Sequence, residues 1–415
     1  MIKNNTLINT VKYVGLSLTA VAFSVQAAQK SHVYTETNEV INKIIHFSRN
    51  SDGTLNEVGK INTGGKGTDG FKPSTGDASA PDTLLSAGAV AISADQKMLF
   101  AVNAGDNSVS SFTLDSNGKP RLVERRLTGE RGVPSSLTYN DKTKMLYVLH
   151  TKGPNHIRSF KVKSGHLTDS GAKYTVNTNN ATNRIPTQII SSPDGRFVLV
   201  DVLFDAPPTQ GKNGPNLTPS NAGNADGLIV FRVNEDGSLG KAQFNDAGGP
   251  TPFSLSFLHG SNDTFVNTLA AGNGVVLSKL ANDGTVTSSP IALVDISSAP
   301  KGPSETCWVS ISPDNKHAFA TNFGLGTLSS FNIRGDMITT ANGSLGKVKG
   351  DGKFKAIAGI PTSGPNDSWV SKDGYLYQLY PNASKLIAYK INGKELTEVG
   401  SYGIPYNSTV GLTGY

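Results

Sequence analysis

The stretch "LFAVNAGDNSVSSF" (residues 99–112) returns far along the chain as "AFATNFGLGTLSSF" (residues 318–331). Working outward from the two copies reveals a unit of three short strands. The first is apolar and ends in a turn such as "SPDG"; the second ends in a polar residue; the third ends in an aromatic. Complete copies begin at "AVAISADQ" (89–96), "SSLTYNDK" (135–142), "QIISSPDG" (188–195), "SLSFLHGS" (254–261), "WVSISPDN" (308–315) and "SWVSKDGY" (368–375). Self-similarity at such a period is the mark of a solenoid or propeller, in which one supersecondary unit is stacked many times.

A seventh copy is split. "SHVYTETNEVINKIIHFSRNSDG" (31–53) starts at the second strand, and "NSTVGLTGY" (407–415) reads as a first strand with nothing after it. A last strand that completes the unit begun by the first closes a ring without an open sheet edge. The expected fold is therefore all-β: a seven-bladed β-propeller over residues 28–415, its first blade closed by the C-terminal strand. An open array of sandwiches would leave the displaced strand unexplained. Fourth strands are expected from variable segments such as "RLVERRLTG" (121–129) and "KFKAIAGI" (353–360). Two Gly- and Pro-rich segments, 62–88 and 204–226, are too long for blade turns and read either as functional lids or as disordered insertions.

Residues 1–27 carry Lys3 and Lys12, an apolar run (14–23) and small residues up to Ala27, the pattern of a secretory signal peptide. The run is too short to span a bilayer, so no membrane insertion is expected after cleavage, and the mature chain is placed in a periplasm or outside the cell. Its removal lowers the formal charge from +6 to +4. The densest basic cluster, "KPRLVERR" (119–126), is interrupted by Glu124 and reads as a solvated face, so nucleic-acid binding is not expected. A single cysteine, Cys307, excludes an internal disulfide. "GGKGT" (64–68) is no phosphate loop, because Lys60 stands where the earlier glycine is required. His150 and His156 have no evident third partner for zinc, no G-x-S-x-G elbow occurs, and neither metal nor cofactor is expected.

Equivalent positions of a propeller lie on a ring, which makes the copies their own alignment. The second strands end in Glu36, Asn103, His150, Asp201, Asn267, Asn322 and Tyr380. Asn and Asp suit the turn that follows, because their side chains bond their own backbone there. Glu36, His150, Asp201 and Tyr380 break the pattern, and that makes His150, Asp201 and Glu36 the candidate acids and bases. Arg131, Arg184, Thr187, Phe253, Glu305 and Cys307 lie at the starts of first strands on the same face. Arg131 and Arg184 are candidate anion clamps and Glu305 a third carboxylate, with Tyr380, Asn103 and Asn322 as further ligand contacts. Each also has an ordinary reading: an arginine as a loop clamp, His150 as a satisfied turn residue.

"LFAVNAGDNSVSSF", "SSPDGRFVLVD" (191–201) and "ISPDNKHAFATNFGLGTLSSF" (311–331), with the split first blade, resemble the seven-bladed propeller lactonases, a family that includes propeller-type 6-phosphogluconolactonases and fungal 3-carboxymuconate cyclases. The resemblance implies a lactone or small organic anion at the channel mouth and a lactonase or lactone-forming cyclase activity. The family's site pattern is not kept. Thr187 replaces a histidine, "PTPF" (250–253) carries no arginine or histidine, Thr268 replaces a glutamate and Phe323 replaces an arginine. Any chemistry must then run on other residues. The contrasting reading is a non-enzymatic envelope or surface scaffold that binds a protein or polysaccharide through its long loops; under either reading a monomer is expected.

Overall fold

The computed structural model describes residues 1–2, 31–206, 209–211, 214–216, 225–294 and 302–415. The signal-peptide reading, and most of the 204–226 segment, fall outside the described residues.

Seven antiparallel sheets follow one another around a ring. Blade 1 joins Val410–Gly414 to Ser31–Glu36, then Lys43–Arg49 and Leu55–Asn62. Blades 2 to 7 begin at Val90–Ile92, Pro134–Asn140, Ile185–Ser191, Pro252–Phe257, Thr306–Ile311 and Ser368–Val370, and each continues outward in sequence order. The C-terminal closure is in register, Tyr34 opposite Thr413 and Thr35 opposite Leu412. It is extended by two backbone bonds between His32 and Tyr415, of 2.8 and 3.0 Å.

Why the second strands are apolar on both faces follows from the core. In "LFAV" (99–102), Leu99 and Ala101 pack with Tyr34 and Ile44 of blade 1, whereas Phe100 and Val102 pack with Leu137, Leu146 and Phe160 of blade 3. Side chains alternate across a strand, so a strand sandwiched between two neighbours must be hydrophobic at every position. The same division recurs at each blade junction, giving seven inter-blade layers, and an eighth cluster that includes Leu85, Phe204, Phe253, Trp308 and Phe323 packs on the mouth face. Each fully buried Leu or Phe contributes roughly 1.5–3 kcal/mol relative to exposure.

The turn between first and second strands has its own chemistry. Ser93, Ser192 and Ser312 each donate to the aspartate two residues on (2.6, 2.7 and 2.7 Å) and accept the amide of Met98, Phe197 or His317. This explains the repeated Ser-x-Asp: the side chains supply a local scaffold that a tight turn needs.

Two expectations are corrected or decided. Residues 121–129 do supply a fourth strand, Pro120–Leu127, but 353–360 do not. The fourth strand of blade 6 is Met337–Leu345, reached through the two-residue hairpin at Gly335 and Asp336, where Arg334 pairs with Met337. Residues 353–360 lie beyond it on the mouth face, with one isolated bridge between Lys355 and Pro361. The 62–88 segment is folded onto the ring: Ala80, Leu84, Leu85 and Ala87 are buried, and the Lys72 amide bonds the Asp77 carbonyl.

Candidate functional site

The polar ends of the second strands hold the ring together. Asn103 donates to Ser108 (3.1 Å) and Ser110 (2.8 Å), and Asn322 donates to Thr327 (3.0 Å) and Ser329 (2.8 Å). Those spacings are the recurring words of the repeat itself: an Asn pinning the first turn of the third strand in its own blade. Other members tie neighbouring blades. Asn42 donates to Glu36 (3.2 Å) and to Asn103 (3.1 Å), joining blades 1 and 2. Asn267 donates to Asp201 (3.0 Å), joining blades 4 and 5. Tyr380 donates to the Gly346 carbonyl (2.8 Å), joining blades 6 and 7.

His150 is fully buried, with Nδ1 donating to the His156 carbonyl (3.1 Å) and Nε2 2.9 Å from the Thr128 hydroxyl. Burial lowers its pKa to about 4, so it is neutral at physiological pH. Asp201 is pushed up to about 7 by burial, against the Asn267 hydrogen bond, and burial raises Glu36 well above the usual carboxylate range. Arg184 is the clamp of the ordinary reading: it reaches Asp205 (3.1 Å) and Asp226 (3.0 Å) across the base of the 204–226 segment and donates to the Val176 carbonyl (3.0 Å). Arg131 is exposed. None of these residues lines the large cavity of the mouth face; of the nine candidates, Glu305 alone does.

That cavity, about 920 Å³, lies where the starts of the first strands of blades 5 and 6 meet the 62–88 segment and residues 353–357 and 406–407. Sequence distance explains why its lining escapes a strand-by-strand reading. Along one wall run Phe253, Trp308, Phe323 and Phe354, with successive ring centroids 4.5, 6.1 and 5.9 Å apart. The Trp308 indole is fixed by donation to the Ser86 carbonyl (3.0 Å). On another wall Lys72 and Asp82 form a buried ion pair of 2.6 Å, while Asp82 Oδ1 is buried with no hydrogen-bond partner among the described residues.

Glu305 stands at the start of blade 6 with φ of +49°. The same left-handed turn occurs at Val133 and Thr251, which immediately precede the first strands of blades 3 and 5, so it belongs to the repeat and not to the site. Glu305 Oε1 accepts the Ile357 amide (3.1 Å), which draws the 353–360 segment over the cavity. Burial raises this carboxyl to about 7; nearby Asp82 adds to the rise, and the Ile357 amide and Lys72 oppose it. Cys307 is buried, and burial followed by Glu305 holds its thiol well above the ordinary range, so it is no nucleophile at neutral pH.

The positions where the family pattern is lost divide into two kinds. Thr187 donates to the Phe253 carbonyl (2.6 Å), and Thr268 donates to the Cys307 carbonyl, so both hydroxyls sew adjacent blades. Phe253 and Phe323, by contrast, are cavity wall. Two of the departures visible in the sequence thus lie on the cavity wall. Lys72 and Asp82 lie in a Gly- and Pro-rich segment without strand pattern and Phe354 in the segment read as an outer strand, so none of the three carries a site signal in the sequence.

Among the described residues no group of three or more His, Cys, Asp and Glu is placed to hold a metal ion, and no helix is long and apolar enough to cross a membrane.

Comparison with known proteins places this architecture. The family model described as lactonase, 7-bladed beta-propeller, matches residues 21–183, so the resemblance read from the repeats is to this family. Among solved structures, a candidate 6-phosphogluconolactonase of Bacteroides fragilis is 16% identical with a TM-score of 0.66, over 94% of this chain and 99% of that one. A periplasmic gluconolactonase of Pseudomonas aeruginosa is 14% identical with a TM-score of 0.62, over 93% and 98%. At such identities the likeness is one of fold. No curated protein matches the chain significantly.

Proposed function

We propose that this chain binds a small lactone, or the hydroxy acid derived from it, in the mouth cavity, and hydrolyses the lactone ring with Glu305 as general base. The observation that carries the reading is a carboxyl poised near neutrality in a concave, aromatic-walled cavity, the arrangement general acid–base catalysis needs.

The step is chemically complete with the residues present. Ionised Glu305 takes a proton from water as its oxygen attacks the lactone carbonyl. The tetrahedral adduct then collapses, the ring C–O bond breaks, and protonated Glu305 returns the proton to the departing alkoxide. Lys72, buried in the wall and held by Asp82, is the cation set deepest beside the developing oxyanion, whereas Lys353 and Lys355 are exposed at the rim.

The N-terminal leader pattern and the fold shared with a periplasmic gluconolactonase support placing this activity outside the cytoplasm. The test is acid release from sugar lactones, muconolactones and acyl-homoserine lactones by the purified protein and its Glu305→Gln variant. Turnover that depends on Glu305 supports hydrolysis. Turnover no faster than buffer on every substrate contradicts it and favours the scaffold reading.

A further inference from the structure

The chemistry of the cavity wall also selects among lactones. Resting on the reading that this cavity is the ligand site, we infer that its ligand has an apolar body, an aryl or long acyl lactone, and is not a polyhydroxylated or phosphorylated sugar lactone.

Four aromatic side chains, Phe253, Trp308, Phe323 and Phe354, form a continuous wall, and Leu85, Leu203 and Phe204 extend it. Rings meeting at 60°, 43° and 74° leave edges and faces on which a flat apolar group gains contact. A sugar ring would need hydrogen-bond partners for each hydroxyl it buries, because an unmatched polar group in a closed site is costly. Among the described residues, polar groups of the lining are already engaged within the scaffold. Thr251 donates to the Pro250 carbonyl (2.8 Å) and accepts the Ala271 amide (2.5 Å). Asn407 donates to Ser79 (2.9 Å) and accepts from Asn382 (3.1 Å).

A phosphate meets the same difficulty more sharply. Among the described lining residues the deep cation, Lys72, is 2.6 Å from Asp82, and the other lysines, 353 and 355, stand in solvent at the rim. Among the described residues the deep polar functions left are Glu305 and the Lys72–Asp82 pair, enough for one ester group and one water.

Titration calorimetry at about pH 5 separates binding from turnover, because Glu305 is then protonated and cannot act as a base. The probes are dihydrocoumarin, decanoyl-homoserine lactone and glucono-δ-lactone. The expected result is that both apolar lactones bind at least about tenfold more tightly than glucono-δ-lactone. Phe354→Ser, at a half-buried ring, is expected to weaken dihydrocoumarin about fivefold without loss of the folded circular dichroism spectrum. Phe253→Leu serves as the second variant. Equal or tighter binding of glucono-δ-lactone overturns the inference, as does dihydrocoumarin affinity unmoved by either variant, or no binding of the apolar probes.

Repeating the series at about pH 8 with acid release as readout keeps the two readings apart. Dihydrocoumarin bound but not hydrolysed leaves the inference standing and ends the hydrolytic reading. Glu305-dependent turnover of glucono-δ-lactone without binding of the apolar probes does the reverse.

Discussion

The ring of second-strand ends and the starts of the first strands in blades 5 and 6 share one face of the disc, yet they are built to opposite purposes. The ring holds the more polar side chains, and each is turned inward onto a neighbour: Asn103 onto Ser108 and Ser110, Asp201 onto Asn267, His150 between Thr128 and His156. The other region is mostly aromatic, and it is the one that opens onto a cavity with a carboxyl near neutrality. A buried polar group that is hydrogen-bonded within the scaffold fixes geometry; a titratable group at a concave surface is available for chemistry. If the proposed reading of the cavity holds, polarity alone does not locate the site in this ring.

The sharpest way to break this contrast is to exchange the acids. Glu305→Gln should lower lactone turnover by roughly 10²- to 10⁴-fold, the range of a general base, with little loss of melting temperature. His150→Gln and Asp201→Asn should leave turnover within about threefold, since neither group meets the cavity. Steady-state rates and thermal melts of the three variants decide it.

Stability should show the reverse pattern. Leu99→Ala, in the layer between blades 1 and 2, should cost about 2–5 kcal/mol, because it empties a fully buried site. His150→Ala should cost about 1–3 kcal/mol by leaving two hydrogen-bonding groups without their partner. Denaturant unfolding of each variant against the parent chain checks both values.

pH separates the regions by sign. Glu305 must be ionised to act as a base, so turnover should rise through a midpoint near pH 7 and fall below it. His150 has a folded pKa of about 4, below its unfolded value, so the unfolded chain binds a proton that the native state refuses. It therefore withdraws stability as the pH falls from about 6.5 towards 4, amounting to about 3 kcal/mol at the lower end. Asp201 works in the other direction. Its folded pKa of about 7 lies above the unfolded value, so the native state keeps a proton the unfolded chain releases, and the stability this gives at low pH is lost as the pH rises from about 4 to about 7. Asp201→Asn should accordingly raise the melting temperature above pH 7 and have little effect near pH 4, as melts across that range would show.

The smallest effect is expected at the turns: Ser192→Ala should cost about 0.5–1.5 kcal/mol, without altering turnover.

The fold was legible because a repeat carries its own alignment. Strand alternation, the Ser-x-Asp turn and the displaced first strand all appear in the words of the sequence, and each has a counterpart in the ring. Residues 353–360 were misassigned because an apolar alternation in a long linker looks like an outer strand, while the real one, Met337–Leu345, begins two residues after the third and reads as its continuation. The site was less legible. Lys72 and Asp82 sit in a Gly-rich segment, Phe354 in another, and only folding brings them to Trp308 and Glu305. The one trace is negative: Phe323, where the resemblance to the propeller lactonases implies an arginine, forms part of the cavity wall.

The central claim is that chemistry lies at the first-strand starts and not on the polar ring. Its most direct test is dihydrocoumarin hydrolysis by the parent chain, Glu305→Gln, His150→Gln and Asp201→Asn, with folding of each verified by circular dichroism. The account predicts turnover in the parent chain that collapses in Glu305→Gln and persists in the other two. Turnover that survives Glu305→Gln but is lost in a folded His150→Gln or Asp201→Asn variant, or a parent chain no faster than buffer, would contradict it.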